Sequence, residues 1–194
     1  MSILLQKSLT RENLIEAFWE LYKDKPIEKI TVKEITNRAG YNRGIFYAYF
    51  KDTYEVLKEI KESIMPSKDM IIYPIQRIEK KEDLIFDTLS HSNDYFMENQ
   101  EKIIVLLGPE GDPSFVHELK IRTREILMEY LNGSDINEPE KIQFIIEYHM
   151  SAIIGVFQLW VERGSTLDQI ELEKLIEDIS QDGVISILQT LISK

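Results

Sequence analysis

A chain of 194 residues that is 43% apolar and 29% charged can bury a sizeable core and has the make-up of an ordinary globular protein. It contains no cysteine, which excludes disulfides, a thiolate nucleophile and thiolate zinc sites. A net charge of −11 argues at first against a nucleic-acid partner, but residues 1–60 hold ten Lys/Arg against nine Asp/Glu, and the acidic excess lies in 61–194.

The first residues, MSILLQKSLTRENL, lack the basic start, apolar run and small-residue cleavage site of a signal peptide. Leu14, Ile15, Phe18, Leu21 and Tyr22 recur at helical spacing, which predicts an amphipathic helix over Thr10–Lys23, ended before Pro26. Thr31-Val-Lys-Glu34 is a capping-box pattern opening a second helix to about Arg38, with Val32, Ile35 and Ala39 inward. Gly40 supplies a tight turn, and Asn42 caps a third short helix through Tyr49. A second box, Asp52-Thr-Tyr-Glu55, starts a fourth helix running to about Ile64.

Two short helices joined by a glycine-containing turn form a helix-turn-helix pattern. The basic charge sits on it: Lys25–Lys51 contains Lys25, Lys29, Lys33, Arg38, Arg43 and Lys51 against only Glu28 and Glu34. On the third helix Phe46 and Phe50 share a core-facing side, and Arg43, Gly44, Tyr47 and Ala48 form an adjoining arc. Small residues let the backbone approach a groove, and an arginine can donate two hydrogen bonds to a guanine edge. The hydroxyls of Tyr47 and Tyr49 can reach phosphate oxygens, and Lys33 and Lys51 can neutralise phosphates. Four aromatics in five residues beside Arg43 cannot all be core, because so short a helix cannot bury every side.

The stretch Ile30-Thr-Val-Lys-Glu-Ile-Thr-Asn-Arg-Ala-Gly-Tyr-Asn-Arg-Gly-Ile-Phe-Tyr-Ala-Tyr-Phe50 closely resembles the DNA-binding signature of TetR-family regulators. The resemblance rests on the threonine-capped helix, Ala39-Gly40, the polar pair Asn42-Arg43 and Phe46-Tyr47-x-x-Phe50. It implies phosphate contacts from Thr31 and Lys33, base-edge contacts from Arg43, Gly44 and Ile45, and backbone contacts from Tyr47 and Tyr49. Asn42 and Lys51 complete the expected DNA-binding set. The family usually carries lysine where this chain has Thr53, so the phosphate contact there is expected to fall to Lys51.

Beyond residue 64 there is no strand alternation, repeat or low-complexity tract. Helices are expected over Glu82–Asn99, Gln100–Leu107, Asp112–Leu131, Pro139–Arg163 and Asp168–Ile192, the last with a break near Gly183. In Pro139–Arg163 the less apolar residues Gln143, Glu147, Ser151, Gly155, Gln158 and Glu162 form one narrow stripe, and a helix this apolar must be covered on more than one side. The resemblance implies that 139–163 and 168–192 pair with a second copy in a four-helix bundle. Tyr148–Val161, the longest charge-free apolar stretch here, falls short of the roughly 20 residues of a bilayer span.

These observations predict an all-α protein with a helix-turn-helix DNA-binding domain over 1–51 and a helical domain over 52–194, to which the resemblance assigns dimerisation and effector binding. It is expected to be cytoplasmic, with operator DNA and a second copy as partners and no membrane. His91, His117 and His149 lack the pairing of a helical metal site, and no phosphate loop or nucleophile elbow is present, so no catalytic residue, metal or cofactor is expected. The resemblance implies a small-molecule effector, for which Tyr95, His117, Tyr148 and Gln158 are candidate lining residues. The expected function is a ligand-responsive repressor binding near-palindromic operator DNA as a homodimer. The alternatives are a protein-binding co-regulator on the same fold, favoured by the acidity and Thr53, and a small helical enzyme, for which no reaction centre is visible.

Overall fold

The computed structural model describes residues 3–80, 95, 98–108, 111–132, 138–164, 167–180 and 183–184, and among the described residues there is no strand. They divide into two compact units, Met1–Met65 and Pro66–Lys194.

The first unit comprises α1 (Ile3–Tyr22), a 3-10 turn (Ile27–Lys29), α2 (Val32–Ala39), α3 (Arg43–Tyr47) and α4 (Thr53–Ser63). α1 begins at Ile3 rather than Thr10, because nothing in residues 3–9 breaks a helix and Ser8 Oγ donates to Glu12 Oε1 at 2.6 Å one turn later. It buries Leu14, Ala17, Phe18, Trp19 and Tyr22 and packs against α2 and α4. Leu14, Phe18, Ile35, Phe46 and Val56, from all four helices, have no exposed surface. On α2 the inward positions are Ile35 and Thr36, with Val32 and Ala39 only half-buried. The buried Thr36 hydroxyl is satisfied because it donates to the Val32 carbonyl at 2.9 Å.

The expected division after residue 51 falls inside this unit. Val56, Leu57 and Ile60 give α4 a buried face that packs on α1, so the compact body runs on to Met65.

The second unit contains α5 (Lys68–Lys80), a helical stretch over 98–107, α6 (Pro113–Leu131), α7 (Pro139–Glu162) and α8 (Gln169–Ser180). α5 packs on α6 and α6 on α7 around Ile71, Ile75, Leu127, Leu131, Ile142, Ile146 and Val184. α6 begins as its sequence dictates: the Asp112 carboxylate accepts the Ser114 N–H at 2.9 Å and Pro113 fills the first turn. α7 gives way to Gly164, which takes the left-handed φ of 69° that stops a helix. Most of the expected helix Glu82–Asn99, and the end of Asp168–Ile192, lie outside the described residues.

α7 buries Ile142, Ile146, Ile154 and Trp160 but leaves Phe144 77% and Tyr148 66% exposed. Glu140–Glu162 has a mean hydropathy of 1.4, long and apolar enough to cross a membrane, and only 17% of its window is buried. Two residues of its polar stripe bond to α6: Lys120 Nζ donates to Glu147 Oε1 at 2.9 Å and to Ser151 Oγ at 2.7 Å. The Lys120 bond, seconded by Ser151, holds the Glu147 carboxyl below its usual range. Trp160 Nε1 donates to the Leu167 carbonyl at 2.9 Å.

Phe46 anchors α3 with no exposed surface, so Phe46→Ala is expected to destabilise the first unit by about 3–5 kcal/mol. The chain has two tryptophans, one per unit, so urea unfolding followed by Trp19 fluorescence in a Trp160→Phe background reads this unit alone.

Candidate nucleic-acid interface

α2 is started by a complete capping box. Thr31 Oγ1 accepts the Glu34 N–H at 3.3 Å, and the Glu34 carboxylate accepts the Thr31 N–H at 3.0 Å. The Thr31 hydroxyl also donates to Glu34 Oε2 at 2.8 Å, and Lys25 Nζ donates to Glu34 Oε1 at 2.6 Å. The Lys25 bond first, then those from Thr31, hold the Glu34 carboxyl down at about 2. Thr31 is exposed, yet its hydroxyl is already committed to this cap.

α2 ends on Gly40, whose φ of 75° lets the chain reverse, and the Tyr41 N–H closes the turn on the Thr36 carbonyl at 2.8 Å. Asn42 then caps α3, its Oδ1 accepting the Ile45 N–H at 3.0 Å. A side chain at residue 44 would place its Cβ 3.1 Å from that same oxygen, so glycine keeps the cap uncrowded. α3 proper is Arg43–Tyr47, shorter than the expected run to Tyr49. Ala48 and Tyr49 turn instead, and the Phe50 N–H returns to the Phe46 carbonyl at 2.9 Å. Phe46 and Phe50 are buried with ring centroids 5.7 Å apart.

Asn42, Arg43, Gly44, Tyr47, Ala48 and Lys51 are exposed together around this short helix, Tyr47 by 59%. Ile45 and Tyr49 are half-buried, and Lys33 is exposed on α2. Lys25 and Arg38 are engaged by Glu34 and Glu20, whereas among the described residues the side-chain charges of Lys33, Arg43 and Lys51 have no carboxylate partner. Thr53 is buried at the start of α4, where Asp52 Oδ1 accepts the Glu55 N–H at 2.9 Å. The Glu55 carboxylate reaches back to accept the Lys51 N–H, one residue beyond the Asp52 N–H of a reciprocal box. The result is a positive, solvent-exposed face on a capped support.

The candidate effector residues do not converge. Tyr148 lines an apolar groove of about 400 Å³ between α7 and α8, with Phe144, His149, Ile176 and Ile179 among its other walls. Burial lowers the pKa of His149, a groove residue that sequence reasoning treated only as an isolated histidine. His117 is exposed on α6, and Gln158 is half-buried on α7 but not in the groove. Tyr95 is partly buried, which pushes its phenol up to about 12. Among the described residues no cluster of three His, Asp or Glu side chains could hold a metal ion.

Two capped helices meeting at a left-handed glycine, with Arg43 exposed on the second and without a carboxylate partner among the described residues, form a helix-turn-helix DNA-binding unit. Residues 14–60 match the family described as bacterial regulatory proteins of the tetR family, and residues 83–182 match the transcriptional regulator C-terminal region. The chain belongs to the TetR family of transcriptional regulators. It is 28% identical over 106 residues to the HTH-type transcriptional regulator YxbF of Bacillus subtilis, covering 53% of this chain. It is 20% identical over 149 residues to the HTH-type transcriptional regulator SrpR of Pseudomonas putida, covering 77% of this chain and 70% of that one. The match spans only 22% of the length of YxbF, and a further match spans 34% of the B. subtilis regulator YwcC. The fold is similar to that of a TetR transcriptional regulator from Streptococcus agalactiae, with TM-score 0.58 and 22% identity over 90% of this chain and 94% of that one. A tetR-family regulator from Streptomyces coelicolor gives the same TM-score at 17% identity, over 98% of this chain and 84% of that one.

The lowered Glu34 pKa predicts that the first unit is acid-sensitive. A carboxyl whose pKa falls from its ordinary 4.5 to about 2 on folding contributes stability that is present above 4.5 and is lost as the pH falls towards 2. The urea midpoint of this unit is therefore expected to drop across that window. Glu34→Gln should lower the midpoint at pH 7 and flatten the drop; an unchanged acid profile would contradict the role given to the cap.

Proposed function

We propose that the chain is a repressor that binds near-palindromic operator DNA as a homodimer, with α3 in the major groove. The observation that carries this reading is the unpaired Arg43 at the start of a capped helix whose outer arc is small or polar. Arg43 donates two hydrogen bonds to a guanine edge, Gly44 and Ile45 lie close to the base edges, and Asn42 holds the helix start while facing the groove. Lys33, Tyr47, Tyr49 and Lys51 engage the phosphates on either side. Thr31 contributes through its cap more than through its hydroxyl, which Glu34 already occupies. Thr53 is buried, so the phosphate contact beside it falls to Lys51.

Dimerisation is supported by the outer faces of α7 and α8. Phe144, Tyr148, Leu159, Ile170, Leu175 and Ile179 are exposed large apolar residues within one pair of helices, which a second copy would cover. Two copies place two α3 helices one DNA turn, or a multiple of it, apart. A small apolar effector entering the α7–α8 groove of about 400 Å³ would meet Phe144, Tyr148 and Ile179, which the second copy also needs, and would act by reshaping that contact. Effector and operator would then oppose each other through a single coupling free energy.

Selection from random duplexes is expected to yield a two-fold symmetric site whose binding weakens steeply with salt. Arg43→Ala should relax one base pair per half-site at a cost of about 1–3 kcal/mol, whereas Lys33→Ala should weaken all sequences alike and reduce the salt slope by about one. No duplex bound even at low salt would favour a co-regulator whose partner is protein. Phe144→Glu combined with Ile179→Glu is expected to give a monomer in sedimentation and to weaken operator binding by the loss of the second half-site. A variant that stayed dimeric would contradict the α7–α8 interface.

A further inference from the structure

The family match begins at residue 14, but α1 begins at Ile3, and two side chains just ahead of the matched segment reach the reading unit. Asn13 Nδ2 donates to the Tyr41 hydroxyl at 3.1 Å in a part-buried setting. Arg11 grips the Glu59 carboxylate of α4 with both guanidinium arms and lies 5.4 Å over the Phe50 ring. These contacts fall at the two ends of α3. Tyr41 stands between Gly40 and the cap residue Asn42, and Phe50 closes the turn that follows the helix.

We propose that Asn13 and Tyr41 are positioning residues for operator recognition: their hydrogen bond pins the entry of α3 to α1 and so sets the angle at which Arg43 meets the bases. The proposal rests on the reading of Arg43 given above. α3 has five residues and a handful of intrahelical bonds, so its orientation is decided by what holds its ends. Phe46 fixes its depth in the core, but a ring in an apolar pocket restrains rotation about the helix axis poorly. The turn at Tyr41 is the point where rotation is blocked, because its backbone N–H is held by Thr36 and its hydroxyl by Asn13, two different helices. A bidentate contact to a base tolerates only about 10–20° of misorientation, so losing this pin should lower discrimination before it lowers general DNA affinity.

The test uses Tyr41→Phe, Asn13→Leu and the double variant in the full chain, with Arg43→Ala alongside. Tyr41→Phe and Asn13→Leu each remove the same bond. Each is expected to cut the preference for the selected operator over a duplex altered at the Arg43 base pair by about fivefold, and the double variant no further. Binding to an unrelated duplex at low salt should be unchanged. In the DNA-free protein the amides of Ile45, Phe46 and Ala48 should exchange faster in all three variants. Unchanged exchange, or operator and unrelated duplex weakening together, would overturn the positioning role. If Arg43→Ala lost the preference while Tyr41→Phe kept it, the proposal alone would fall. If Arg43→Ala itself kept the preference, the reading of Arg43 would fall, and the exchange data would still decide whether the bond holds α3.

Discussion

Arg43–Tyr47 is far too short to be a helix in isolation, where helices below about 12–15 residues are marginal. It exists because its ends are held from outside: Asn42 satisfies the Ile45 N–H, the Phe50 N–H returns to Phe46, and both phenylalanines are sunk in the core of the first unit. Everything proposed for DNA recognition depends on that constraint. A surface helix held only by its own hydrogen bonds would carry Arg43 on a mobile support, and a mobile arginine pairs with phosphate anywhere rather than with one base edge.

Charge follows the same logic. Within the first unit Lys25 is spent on the Glu34 cap and Arg38 on Glu20, while among the described residues Lys33, Arg43 and Lys51 remain without carboxylates. The second unit carries the acidic excess and a different surplus, an apolar one. α7 and α8 leave Phe144, Tyr148, Ile170 and Ile179 in water, while Glu147 and Ser151 of α7 are tied to Lys120 of α6. Exposed apolar area of that kind costs solubility unless something covers it, which is the physical ground for assigning these faces to a second copy.

Local signals were legible in the sequence and long-range ones were not. The Thr31–Glu34 box, the Asn42 cap and the left-handed Gly40 all depend on residues within three or four positions, and each has the geometry its spacing predicts. The buried anchors Phe46 and Phe50 follow from helical periodicity. α5 was hidden because Pro74 sits inside it and reads as a breaker, although Ile71, Ile72 and Ile75 give it a buried face. The early start of α1, the Asn13–Tyr41 bond and the Arg11–Glu59 pair span 28 and 48 residues or lack any motif, so only the folded arrangement reveals them. Of the four effector candidates, only Tyr148 lines the groove, because apolar periodicity says which face is apolar but not which faces meet.

The absence of cysteine allows the central claim, that the outer arc of α3 lies in the major groove, to be measured directly. A single cysteine introduced at the exposed Ala48, carrying a tethered iron chelate that generates hydroxyl radicals, cuts DNA only where it lies. On a selected duplex, two symmetric clusters of cuts about one helical turn apart, or a multiple of it, are expected. Diffuse cutting from residue 48, or no cutting above that of the chelate free in solution, would contradict the account.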